Sequence, residues 1–327
     1  MGIKTLAHVS DLHIGKSVET ERRAVAIRDA MLAAEIDHVV VTGDLTHRGR
    51  TGELAVFWRI FQPLRELDRL TVIPGNHDRL GDDIGDAIQD GPRVSVATPP
   101  GLHLVRFDST APHNRSWISG HGEMRPEDIE AIHAATAAAA PGTVVAVLLH
   151  HHVLPLPADH AAERLVSWLG MPYADELAAG ASLLTAVRGH CDLVLHGHRH
   201  TPRTMTFFGD ERRRLAIYNA GSSTELGRVR VFCHDDGKLL AEPGWLSTWT
   251  SETLAPLARG RGSRLAPLAR GRGSETLAPL ARGRGSRPSR GPSPDQGPAQ
   301  IRGIASSPAG EARLRLAMED QLSPTFS

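Results

Sequence analysis

Short apolar runs recur along the first 250 residues, and stretches with helical spacing separate the earlier ones. Thr5–Ser10, His38–Thr42 and Leu70–Ile73 read as strands, rich in β-branched residues and bounded by Gly, Asp and Pro. Between the first two, Glu19–Glu35 places Ala24, Ile27, Ala30/Met31 and Ala34 on one helical face. A second helix is expected to start near Thr51 and to be interrupted at Pro63, which lacks a backbone N–H. Val94–Phe107 predicts a hairpin around Pro99-Pro100-Gly101, and Pro126 sits in the first turn of a helix ending near Pro141. Thr143–Leu149 reads as a buried strand and 159–188 as helical. Further β runs are expected at Cys191–Leu195, Thr204–Phe208, Leu215–Asn219, Val229–His234 and Leu239–Trp249. Strands alternating with helices predict a layered α/β fold.

The pattern stops at residue 250. Beyond it Gly and Pro supply 19 of 77 residues, against 35 of 250 before, and LAPLARGRGS recurs at 254–263, 265–274 and 277–286. Such a segment buries too little apolar surface to offset its ordering entropy, so residues 251–327 are expected to be a disordered, low-complexity tail behind a domain of residues 1–250. The tail reads either as a basic Arg-Gly arm or as a tandem duplication with no structural role. Charge divides at the same point. The tail carries 12 Arg and 6 acidic residues, a net of +6, which leaves the first 250 residues at −6. That front part holds all 18 His and does not present the basic character expected of a long nucleic-acid site. Two Cys, Cys191 and Cys233, are too few for a disulfide scaffold or a four-Cys zinc site. The longest apolar runs are too short to cross a bilayer. The start lacks the apolar core of a secretory signal, so the cytoplasm is the expected compartment and no membrane partner is expected.

The chemistry gathers just past the strand ends. Asp11-Leu12-His13 comes after the first strand, Gly43-Asp44 after the second, Gly75-Asn76-His77-Asp78 after the third, His150-His151-His152 after the fourth, and Gly197-His198-Arg199-His200 after the fifth. In open α/β sheets, binding sites form at the carboxyl ends of strands, so these side chains are expected to converge. In Asp11-x-His13 and His198-x-His200, alternate residues share a face. Oxygen and nitrogen donors in this mixture suit Mn, Fe or Zn. Seven of them exceed one ion's needs and suit two ions that share a bridge and clamp a phosphoryl group.

At these blocks the chain resembles the calcineurin-like metallophosphoesterase superfamily, whose pattern is D-x-H, G-D, G-N-H-D/E, H and G-H-x-H in that order. The resemblance spans roughly residues 5–235. Asn219–Ser223 and the Gly122 stretch look like the bacterial class III cyclic-nucleotide phosphodiesterases. It implies a four-layer sandwich, two mixed sheets flanked by helices. It also implies one ion on Asp11, His13 and His200, another on Asn76, His150 and His198, and Asp44 between them. His150 is preferred over its two neighbours because it directly succeeds the apolar strand; His152 stands where many relatives have Pro. His77 would protonate the leaving oxygen. Where the superfamily's Ser/Thr phosphatases carry an Asp that orients this histidine, the chain has His47, so the orienting partner is unassigned. Arg79 and Arg199 are candidate phosphate contacts.

The function expected is hydrolysis of a small phosphodiester, with cyclic nucleotides one candidate, by a hydroxide shared between two metal ions. A nuclease, a phosphomonoesterase and a non-catalytic scaffold on this fold are the competing readings. Leu165, Trp168, Leu169 and Met171 are expected either to line a lid or homodimer face or to pack as ordinary core.

Overall fold

The computed structural model describes residues 2–117, 120–156, 177–208 and 213–248. The expected tail lies outside the described residues, as do the apolar positions from Leu165 to Met171. Among the described residues, strands form two six-stranded sheets. The first orders β11 (Lys238–Leu239), β10 (Arg228–Asp235), β1 (Lys4–Val9), β2 (His38–Thr42) and β3 (Leu70–Ile73), with β12 (Gly244–Ser247) also on β10. The second orders β4 (Val94–Ala97), β5 (Leu102–Phe107), β6 (Val144–Leu148), β7 (Leu193–His196), β9 (Leu215–Asn219) and β8 (Arg203–Phe207).

Alternation along the strands builds the layers. Leu6, Val40, Leu104, Ala146, Leu148 and Leu195 point into the space between the sheets and are buried there with Tyr218 and Phe232. Their neighbours Ala7, Val9, Val39 and Val41 face the other way, against Ala24, Ile27 and Met31 of α1 (Val18–Ala33) and Phe57 and Phe61 of α2 (Thr51–Glu66). On the second sheet Val105, Val145, Val147 and Val194 meet Ile132 of helix Pro126–Ala137 and Leu183 and Leu184 of helix Gly180–Ala186. The result is the expected four-layer sandwich of two mixed sheets, with helices outside each.

Two expectations need correction. Pro63 does not interrupt α2, which continues to Glu66. Proline forfeits the hydrogen bond to the carbonyl four residues back, here that of exposed Arg59. Beyond that point only the last turn remains, and Phe61 and Leu64 hold it in the core. The run Leu239–Trp249 is not one strand: Lys238–Leu239 and Gly244–Ser247 both pair with β10, at different registers.

β1, β2 and β3 are mutually parallel, and so are β5, β6, β7 and β9. Their carboxyl ends therefore open at common rims. Val9 pairs with Val41, Thr42 with Ile73 and Leu148 with Leu195, which keeps the residues after each strand level with one another.

Candidate active site

The loops at those rims bend sharply. Asp11, His13, Asp44 and His198 adopt left-handed backbone, with φ of 52°, 49°, 51° and 69°. Asp and His tolerate this region better than most residues, yet it remains uncommon outside Gly. Four such residues in three strand-end loops turn the chain back over the sheet edge. At Gly197 even a methyl group would collide with Ser10 Oγ and come within 2.5 Å of Asp11 Oδ2, so only glycine lets this loop approach β1.

The seven expected ligands meet. Asp11, His13 and His200 offer donor atoms within 4.8 Å of one another, and so do Asp11, Asp44 and His150. Asn76 Oδ1 lies 3.0 Å from both His150 Nε2 and His198 Nδ1. Asp44 stands between the two halves: its Oδ1 is 3.4 Å from His150 Nε2 and its Oδ2 is 3.8 Å from His13 Nε2. His150 Nδ1 donates to the Thr42 carbonyl, which aims Nε2 at the cluster. His151 instead bonds Ser109 Oγ and the Gly120 carbonyl through its two nitrogens, and His152 stacks behind His198 with ring centroids 5.7 Å apart.

These atoms fit a cation pair. His13 Nε2 and His200 Nε2 face each other at 3.2 Å, an arrangement in which two ring nitrogens must share a proton or a cation. Burial lowers His13 and His198 well below the ordinary histidine range, so both rings are neutral and carry lone pairs. His198 Nε2 is buried without a hydrogen-bond partner among the described residues. Burial also disfavours charge on His150 and His200. For His150 the fields of Asp44 and Asp11 prevail, and for His200 the bond to Glu225 and the Asp11 charge do, lifting each to about 9. Asp44 is held well below the carboxylate range: burial would raise it, but His150 and His77 outweigh that. The cluster thus draws positive charge to itself.

His77 borders the cluster. Its Nδ1 donates to the His47 carbonyl at 2.8 Å, its backbone N–H donates to Asp44 Oδ1 at 2.8 Å, and its Nε2 lies 4.0 Å from Asp44 Oδ2. The orienting partner left unassigned by the motif is therefore a main-chain carbonyl. The His47 ring also joins the cluster, with His13 and His77, although no ligand role was expected of it. Two acids outside the expected ligand set also bear on the site. Buried Asp78 accepts from Leu45 N, Thr46 N, Thr46 Oγ1 and Gly75 N, which locks the second block to the third. Burial and the nearby Asp44 charge push its carboxyl up to about 6. Glu225, on the turn after β9, lies 3.4 Å from His200 Nδ1 and bonds Lys16 Nζ at 2.9 Å.

The two arginines bond acceptors outside the expected ligand set. Arg79 bonds Asp86, Asp108, Asp83 and Thr110 Oγ1, so its guanidinium is already surrounded by acceptors. Arg199 is buried rather than at the surface, and one of its amino groups bonds the Leu156 carbonyl.

Residues 4–202 match the calcineurin-like phosphoesterase family. The chain belongs to this family. It is accordingly a phosphoric ester hydrolase of a superfamily built around a dinuclear metal centre. No curated protein matches the phosphoesterase by sequence. Among solved structures, a dimetal phosphatase from Danio rerio superposes with a TM-score of 0.50 at 12% identity, covering 76% of this chain and 100% of its own. Its likeness at that identity speaks for the fold alone. Purple acid phosphatase PPD1 from yellow lupin (Lupinus luteus) gives 0.46 at 13% identity, over 75% of this chain and 54% of its own. The phosphopantetheinyl hydrolase PptH of Mycobacterium tuberculosis gives 0.40 at 16%, over 68% and 92%. No helix among the described residues is long and apolar enough to cross a membrane.

Proposed function

We propose that this phosphoesterase hydrolyses small phosphodiesters, cyclic nucleotides among them, with two ions drawn from Mn, Fe and Zn. Asp11, His13 and His200 hold one, Asn76, His150 and His198 hold the other, and Asp44 reaches both. When bound, a metal pair brings the pKa of water down toward neutrality and draws charge from the phosphoryl oxygens. His77 supplies the proton. A carbonyl only accepts, so the bond to His47 fixes the proton on Nδ1 and leaves Nε2 as the nitrogen that exchanges one, on the side of the cluster. From Nε2 the imidazolium protonates the departing ester oxygen, which would otherwise leave as a poor alkoxide.

The observation that carries the diester reading is the engagement of Arg79 by Asp83, Asp86 and Asp108. A monoester dianion calls for extra cationic clamps, whereas a diester carries one negative charge. The −6 balance of residues 1–250 weighs against a nucleic-acid polymer.

The full chain, supplied with Mn(II), should turn over bis(4-nitrophenyl) phosphate and cyclic nucleotides faster than 4-nitrophenyl phosphate, and should leave plasmid DNA intact. Asp44→Asn should lose bound metal and turnover together. His77→Ala should keep both ions and lose about 10²–10⁴-fold in kcat. A preference for the monoester, or efficient plasmid nicking, refutes the reading.

A further inference from the structure

We infer that Trp117 and His47 form the wall of a leaving-group subsite, and that this subsite takes a flat aromatic group such as a nucleobase or a benzyl ring. This depends on His77 acting as the proton donor, as proposed for the reaction. Whatever hangs from the oxygen that His77 protonates must lie close to the His77 ring, and Trp117 packs edge-on against that ring. Its indole lies 5.1 Å from the His77 ring, nearly perpendicular at 89°, and 5.8 Å from the His47 ring. His47 in turn stacks on His77 at 5.7 Å and 25°. The three rings make one aromatic surface beside the proton donor.

Trp117 is 51% exposed, although an indole is among the side chains that gain most from burial. It is not part of the core clusters on either sheet. Nor is its approach to the site left loose. The turn Pro112–Arg115 before it is anchored by Asn114, which is buried, accepts from Ala111 N and donates to the His121 carbonyl. His113 also bonds that carbonyl, and Arg115 bonds Asp83 at 2.7 Å. A large apolar face on an anchored turn, half open beside the His77 and His47 rings, is suited to stacking a planar group. Such a stack needs no particular hydrogen bonds and so accepts several ring systems.

The test compares diesters that differ only in a benzyl or an ethyl leaving group, alcohols of similar acidity, on the metal-loaded full chain. A second arm measures binding of benzyl phosphate against ethyl phosphate by calorimetry and needs no turnover. The wild type should favour benzyl in both arms. In Trp117→Ala the benzyl-to-ethyl ratio should fall about 5- to 150-fold, the effect of losing one aromatic stack. Trp117→Phe should restore most of it and Trp117→Leu should not. A ratio that is unchanged in Trp117→Ala, or is restored equally by leucine, overturns the inference. If only monoesters turn over, the diester proposal fails, while the binding ratio still decides the role of Trp117.

Discussion

Glu225 holds the outer nitrogen of His200 while the inner one faces His13. A carboxylate on the far side of a ligating imidazole fixes its tautomer and raises its basicity, and removing such partners typically costs 10–100-fold in metal affinity. Glu225→Ala should therefore weaken one of two Mn(II) binding steps by about that factor in a calorimetric titration, leaving the other step near its wild-type value. Equal weakening of both steps, or none, contradicts this. Individual residues also show where the sequence was legible. Asp11, His13, Asp44, Asn76, His150, His198 and His200 could be read because each sits in a short motif at a strand end, and the structure brings all of them together. Glu225 lies 25 positions past the last of them, in none of the ligand motifs and two residues beyond the Asn219–Ser223 stretch. The bond that aims His77 is donated to a main-chain carbonyl, a group that every residue type carries and no sequence pattern marks.

Among the elements, β2 and β3 match their expected bounds because β-branched runs end there at Gly and Pro. The Val94–Phe107 hairpin forms as β4 and β5, paired antiparallel. α1 begins at Val18, one residue before its expected start, because Ser17 accepts from Thr20 N as its cap. The difference at Pro63 has another origin: packing of Phe61 and Leu64 overrides a local rule. The β2–β3 pair also carries a pH dependence. His38 Nε2 and Thr71 Oγ1 lie 2.8 Å apart, and burial, only partly offset by the Asp68 charge, lowers His38 to about 4. The unfolded chain takes up a proton near pH 6.5 that the folded one refuses until about 4. Stability should therefore fall as pH drops across that window, by up to about 3 kcal/mol from this group, and be flat above it. Urea titrations of His38→Gln should show a shallower loss between about pH 6.5 and 4 than the wild type.

The described residues form two sheets that share one site. Asp11, His13, Asp44 and Asn76 come from the first, His150, His198 and His200 from the second, and the bond from His150 to the Thr42 carbonyl already crosses between them. In the proposed assignment neither ion belongs to one sheet alone. Each would fasten both, so that the catalytic cations double as a clasp at one end of the sandwich. Chelation should then do more than silence turnover. It should lower the melting temperature by the linkage expected of a tightly held ligand. Amide exchange should quicken first at the carboxyl ends of β2 and β6 while β10 stays protected. Uniform acceleration across both sheets would mean that the seam at the rim is closed by packing alone.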